Sequence, residues 1–141
     1  MLPRLVLAAF LLGHAAVHAG FLSPRPAATV GGPTWPFDVA RSWILSPLGA
    51  PAETLRILGF ALFAVTLASF ALAAIAAVGF LPASVWAWST VIGAAASLTM
   101  LIVFFHPWLV VGVAIDVVLL YLVLVNGWDP FAAGAALRSM A

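Results

Sequence analysis

The chain contains no cysteine. Disulfides, thiolate metal sites and cysteine nucleophiles are therefore excluded, and any chemistry must rest on oxygen and imidazole groups. Lysine is absent as well: five arginines stand against four acids, for a net charge of +1. No basic cluster is present that could neutralise a run of phosphates, so nucleic acid is not an expected partner. Charged residues make up 6% of the 141, where a soluble domain carries roughly 25%. Neither a phosphate-binding P-loop nor a Gly-x-Ser-x-Gly element occurs, which removes the readily readable enzyme signatures.

What fills the chain instead is apolar: 66% of residues are hydrophobic, and residues 57–115, 59 in all, include no Asp, Glu, Lys or Arg. One crossing of a hydrocarbon core of about 30 Å takes about 20 apolar residues, so this run holds two spans and the start of a third. Reading outward predicts an all-α, integral membrane four-helix bundle. It is one domain over residues 1–141, with spans near 5–22, 54–81, 85–105 and 108–126. Its expected setting is the lipid bilayer of the cell (inner) membrane, crossed several times. Arginine and alanine in abundance without lysine suit a GC-rich bacterial genome. The first stretch also reads as a secretory signal peptide, with Val17-His18-Ala19 before Gly20 as a cleavage point. Two histidines in its apolar part and the even count of spans favour a retained helix.

Residues 23–52 form a long connection broken by Pro24, Pro26, Pro33, Pro36, Pro47 and Pro51. Within it Thr34 is expected to cap a short interfacial helix with Pro36 in its first turn, setting Trp35, Val39 and Trp43 near one side. All six tryptophans, Trp35, Trp43, Trp86, Trp88, Trp108 and Trp128, fall at predicted span ends or in this loop, as interfacial belts require. Small residues four apart, Ala9 with Gly13, Ser69 with Ala73 and Ala77, and Gly93 with Ser97, are expected to let helix backbones approach. Arg4 and Arg138 on one side balance Arg25, Arg41 and Arg56 on the other, so the positive-inside rule sets no orientation.

Ionisable residues at membrane depth are rare and face protein interiors, which singles out His14, His18, His106 and Asp116. His14 lies eight residues before Leu22 and Asp116 eight after Trp108, so each sits about 12 Å below the same membrane face. His18 is one turn nearer that face, on the side of His106. These four are the candidate catalytic residues, with Arg41, Trp35 and Trp43 of the loop as candidate ligand contacts. Three readings stay open. A His and a carboxylate sharing a dry pocket suit acid–base work on a small hydrophobic ligand. Alternatively the pair only fixes helix register, and the chain is a structural or accessory subunit, a homo-oligomer or part of a larger membrane assembly. Thirdly, His14, His18, His106 and Asp116 form an acceptable ligand set for a metal, with haem a further possibility. No cofactor is specified by the residues. Thr66, Ser69, Ser97, Thr99 and Tyr121 are expected to satisfy their hydroxyls locally or across helices.

The run Gly13-His14, His18, Gly20-Phe21, Trp35-Pro36-Phe37, Arg41-Ser42-Trp43, Pro107-Trp108 and Ile115-Asp116 resembles a group of small bacterial four-helix membrane proteins. In length and span layout the chain is similar to the DoxX-like membrane proteins. The resemblance implies a fold and a membrane setting; it carries over no activity and no partner.

Overall fold

In a computed structural model the described residues are 1–23 and 35–132. They fold as helices joined by turns, with no strand among them. Helix α1 spans Leu2–Val17, α2 Ala52–Ala77, α3 Ala83–Val103 and α4 Val110–Leu120. A 3-10 turn His18–Leu22 continues α1, another at Pro107–Leu109 leads into α4, and a π turn Tyr121–Val125 extends it. Counted with these extensions, the four pieces have 21, 26, 21 and 19 residues and are long and apolar enough to cross a membrane. At 1.5 Å per residue the 26 residues of α2 reach about 39 Å, more than the hydrocarbon thickness, so this helix tilts or protrudes.

Consecutive helices pack as neighbours, α1 on α2, α2 on α3 and α3 on α4, while α1 and α4 make few backbone contacts. Two contacts fix which ends lie together. Arg4 Nε donates to the Pro130 carbonyl at 3.4 Å and its guanidinium lies 4.4 Å above the Phe131 ring. At the other end Ser42 Oγ and Trp43 Nε1 donate to the carbonyls of Val103 and Ile102, at 2.6 and 2.7 Å. Those carbonyls belong to the last turn of α3, which has no intrahelical donors left for them, so the loop caps the helix it crosses.

Small residues permit the close helix contact at α2 and α3: a Cβ on Gly93 would meet Ser69 Cβ and the Phe70 ring at 3.1 Å. Gly13 does not serve this way. Nothing lies within 4 Å of where its Cβ would be, and Ala9 is exposed beside it. The buried stripe of α1 is Ala8, Leu11, His14 and Ala15, continued by His18 and Phe21, the i, i+3, i+4 spacing of one helix face.

Several boundaries differ from those expected. The second span stops at Ala77, not Leu81, because Gly79 adopts φ +99 and closes a Schellman turn: its N–H reaches the Ala76 carbonyl at 2.8 Å and that of Phe80 reaches Ile75 at 3.3 Å. The expected helix end at Asn126-Gly127 is present, with Gly127 at φ +58. Thr34 lies outside the described residues, and residues 35–50 form turns where a short helix was expected. Asp38 Oδ1 accepts from the Ala40 N–H at 3.0 Å, and Ser42 Oγ accepts from Ile44 and Leu45; such side-chain acceptors draw backbone donors away from helical partners. Val39 points inward against Gly59 whereas Trp43 is exposed. Trp86 keeps its place in the first turn of α3 but turns inward: it is 1% exposed, edge-on to Trp128 at 5.4 Å. Trp43, Trp88 and Trp108 are the broadly exposed ones.

Candidate functional site

His14 and His18 lie on the inward stripe at the end of α1, where the helix tightens into its 3-10 turn. The His18 ring turns back on its own helix, Nδ1 lying 3.0 Å from the His14 carbonyl. That contact fixes the ring and aims Nε2 across the bundle, where it meets Ser97 Oγ of α3 at 2.8 Å. Ser97 in turn contacts Asp116 Oδ2 of α4 at 2.5 Å. The other carboxylate oxygen, Oδ1, meets His14 Nε2 at 2.8 Å. The four side chains therefore form one unbroken chain, His18 to Ser97 to Asp116 to His14, drawn from three helices.

Water has little access to it. Asp116 and Ser97 are fully buried, and His18 and His14 retain 3% and 7% exposure. Aromatic rings close the sides: Phe70 stands edge-on to His14 at 5.3 Å, Phe10 stacks on it at 6.3 Å, and Phe21 flanks His18 at 6.4 Å. In such a low-dielectric setting each hydrogen bond is electrostatically stronger and any unpaired polar group is costly. The network also lies where α1 and α4 are least joined by backbone packing, so the His14–Asp116 contact is the polar tie across that seam.

Beside the tie lies a cleft of about 150 Å3, lined by His14, His18, Phe37, Leu101, Gly112 and Ile115 among others, with Val17, Trp108 and Val111 at its rim. Those three rim residues are 60%, 66% and 65% exposed, so the mouth opens sideways on the apolar flank of the bundle. Gly112 keeps α4 close: a Cβ there would come within 2.8 Å of Leu101 and 3.9 Å of His14. The loop covers the upper end through Phe37, which packs on Gly20 and lies edge-on to Phe21 at 5.1 Å.

The pair matched by depth, His14 and Asp116, is thus present as a direct contact, and His18 joins it. His106 does not. Its ring Nδ1 accepts the Trp108 N–H at 3.2 Å, capping the turn that starts the fourth span. It lines a separate cleft of about 440 Å3 with Trp35, Asp38, Arg41, Ser42 and Trp43. The loop residues expected to contact a ligand therefore gather with His106 at the loop end of the bundle, and His14, His18 and Asp116 gather deeper, under Phe37. The metal set of three histidines and Asp116 is not assembled, because His106 is held in its capping role; among the described residues no group of three or more His, Asp or Glu side chains is placed to hold a metal ion.

Ser97 was missed. A lone serine inside a span reads as satisfied by its own helix, as Thr99 is by the Ala95 carbonyl at 2.7 Å. The available signal was helix phase: Ser97 lies four residues after Gly93, on the face that Gly93 turns to α2. No family model, curated protein or solved structure matches the chain.

Proposed function

We propose that the chain is a multi-pass protein of the bacterial cell (inner) membrane, of the four-helix type its sequence resembles, that binds or acts on a small hydrophobic ligand by histidine–aspartate acid–base chemistry. The observation that carries this reading is the cleft whose wall includes both His14 and His18 while both are wired to a buried carboxylate. Asp116, accepting from His14 Nε2–H, selects the tautomer whose Nδ1 keeps its lone pair. A neutral imidazole so oriented is a general base, and a carboxylate behind it stabilises the imidazolium that forms when it takes a proton. His18 supplies a second titratable ring at the same wall.

The ligand's character follows from the cleft. A volume of about 150 Å3 with an apolar lining takes a body of about six carbons, and the histidines favour one hydroxyl on it. Access is lateral, from the acyl chains, past Val17, Trp108 and Val111. The outer cleft with Trp35, Arg41, Trp43 and His106 lies over the loop at the membrane face and suits a polar part of a longer ligand.

A probe with these properties is 4-bromophenol, whose heavy atom quenches a nearby indole. The reading predicts saturable quenching that disappears in Trp108→Phe. It also predicts binding at least tenfold weaker in Val111→Phe, which narrows the mouth, and in Asp116→Asn, which removes the charge behind His14; tenfold corresponds to about 1.4 kcal/mol. Quenching that rises linearly with probe and is unchanged in all three variants would mean simple partitioning into the membrane and would remove the ligand reading.

One observation favours a second reading, a structural or accessory subunit: the network joins three helices and Asp116 is wholly buried, as a strut fixing helix register also requires. In that case the apolar outer faces would serve a second copy or a larger membrane partner, and Asp116→Asn would leave every binding property intact.

A further inference from the structure

The connectivity of the network fixes how many protons it must hold. A carbonyl oxygen only accepts, so His18 Nδ1, 3.0 Å from the His14 carbonyl, carries a hydrogen. In neutral His18 the other ring nitrogen, Nε2, is then an acceptor. Ser97 has one hydroxyl proton and stands between His18 Nε2 at 2.8 Å and Asp116 Oδ2 at 2.5 Å. If Asp116 is ionised and His18 neutral, both neighbours of Ser97 are acceptors, and one of these contacts sets two lone pairs against each other. His14 cannot relieve the conflict, because its Nε2–H already serves Oδ1 at 2.8 Å.

Adding one proton removes the conflict in either of two ways. With the proton on His18, Nε2–H donates to Ser97 Oγ and the hydroxyl donates to Asp116 Oδ2. With the proton on Asp116, the carboxyl O–H donates to Ser97 Oγ and the hydroxyl donates to His18 Nε2. The two forms interconvert when two protons shift together through Ser97, one onto its oxygen and one off it; no bond between heavy atoms changes and the net charge stays zero. Neutrality is what a site with fully buried members requires, since an unbalanced charge there is expensive.

We propose that His18, Ser97 and Asp116 form a proton-holding relay, in which Ser97 is the bridge that lets one excess proton be shared between a ring at the cleft wall and a carboxyl at the core. Among the described residues His14, from α1, is the one further titratable side chain in contact, and a proton on its Nδ1 would leave the conflict at Ser97 in place. Helix α2 presents Phe70 to His14 and carries Glu53 and Arg56 only in its first turns, and the start of the fourth span presents Trp108 and Leu109 to the cleft while His106 caps its own turn. The relay gives the acid–base site a stored proton to deliver to a ligand. Its use rests on that reading of the site, but the proton count does not, and it is tested without any ligand.

The test is a pH titration of the full chain in lipid nanodiscs with nitrogen-15 labelled histidine, followed by NMR of the ring nitrogens, with the infrared carbonyl band of a protonated carboxylic acid read on the same samples. In the unmodified protein His18 and Asp116 are expected to lose a single shared proton in one step, with His18 Nδ1 protonated on both sides of it. Asp116→Asn satisfies the network without the extra proton: the amide N–H donates to Ser97, whose hydroxyl then serves neutral His18. That variant should fold and show His18 neutral throughout, with the proton release lost. Ser97→Ala should split the shared step into separate transitions of His18 and of Asp116. A His18 that titrates identically in all three proteins, or whose Nδ1 lacks a proton, overturns the relay. Because no ligand is present, such a result leaves the bromophenol outcome untouched, and a failure of bromophenol binding leaves the proton count standing.

Discussion

At the scale of single residues, Asp116 decides the energetics of the site, because its two oxygens take contacts from two different helices. Asp116→Leu keeps the bulk and removes both acceptors, which strands His14 Nε2–H in a dry interior while the Ser97 hydroxyl turns to His18 Nε2. Unpartnered buried groups cost about 1 to 3 kcal/mol, so this variant is expected to lose stability of that order in a reversible unfolding titration in mixed detergent micelles. Asp116→Asn should lose less than 1 kcal/mol, since the amide can still accept from His14 and contact Ser97; equal losses for the two variants would contradict the network. The sequence made His14, His18 and Asp116 visible because charge and imidazole stand out against an apolar background, and rise per residue sets their depth. Ser97 stayed hidden because a hydroxyl has a ready partner in its own helix and depth alone does not reveal which way it turns. Thr66 shows the same limit from the opposite side: its hydroxyl, expected to be satisfied locally or across helices, is buried with no partner, as is that of Thr90.

At the scale of elements, glycines in equivalent apolar surroundings carry opposite roles, and only conformation separates them. Gly79 holds φ +99 at the end of α2, a region where an L side chain costs roughly 1 to 2 kcal/mol. Gly79→Ala is therefore expected to destabilise by about that amount. Gly13 is helical, with open space where a Cβ would go, and Gly13→Ala should be neutral or stabilising by up to about 1 kcal/mol. Thermal unfolding of the two variants side by side checks the pair, and a reversed order would place the end of α2 elsewhere. Prolines marked the remaining span ends legibly: Pro82 precedes α3 and Pro107 opens the turn into the fourth span. Proline acts through a fixed φ and a missing donor, which hold wherever it sits. Gly79 acts through a conformation that glycine is permitted but not compelled to adopt, so the sequence sets the end of the second span four residues too late.

At the scale of the whole molecule, the bundle is apolar outside, with Leu5, Val6, Phe10, Ile57, Leu72, Val117 and Leu124 among its exposed side chains, and among the described residues its buried titratable side chains, His14, His18 and Asp116, lie at one seam. Hydrophobic burial alone gives no reason for α1 and α4 to meet at a histidine and a carboxylate; the tie and the cleft beside it are what an acid–base site in a membrane needs, a dry interior with lateral access for an apolar ligand. The acid–base reading proposed for this protein depends on that tie existing in a bilayer. The direct measurement is the heteronuclear dipolar coupling between nitrogen-15 histidine rings and carbon-13 aspartate carboxyls in lipid bilayers. With His14 Nε2 at 2.8 Å from Asp116 Oδ1, the account predicts strong dephasing of the His14 nitrogen and its disappearance in Asp116→Asn, where the labelled carboxyl is gone. Absence of dephasing at His14 in the unmodified protein, or dephasing that survives in Asp116→Asn, would contradict it.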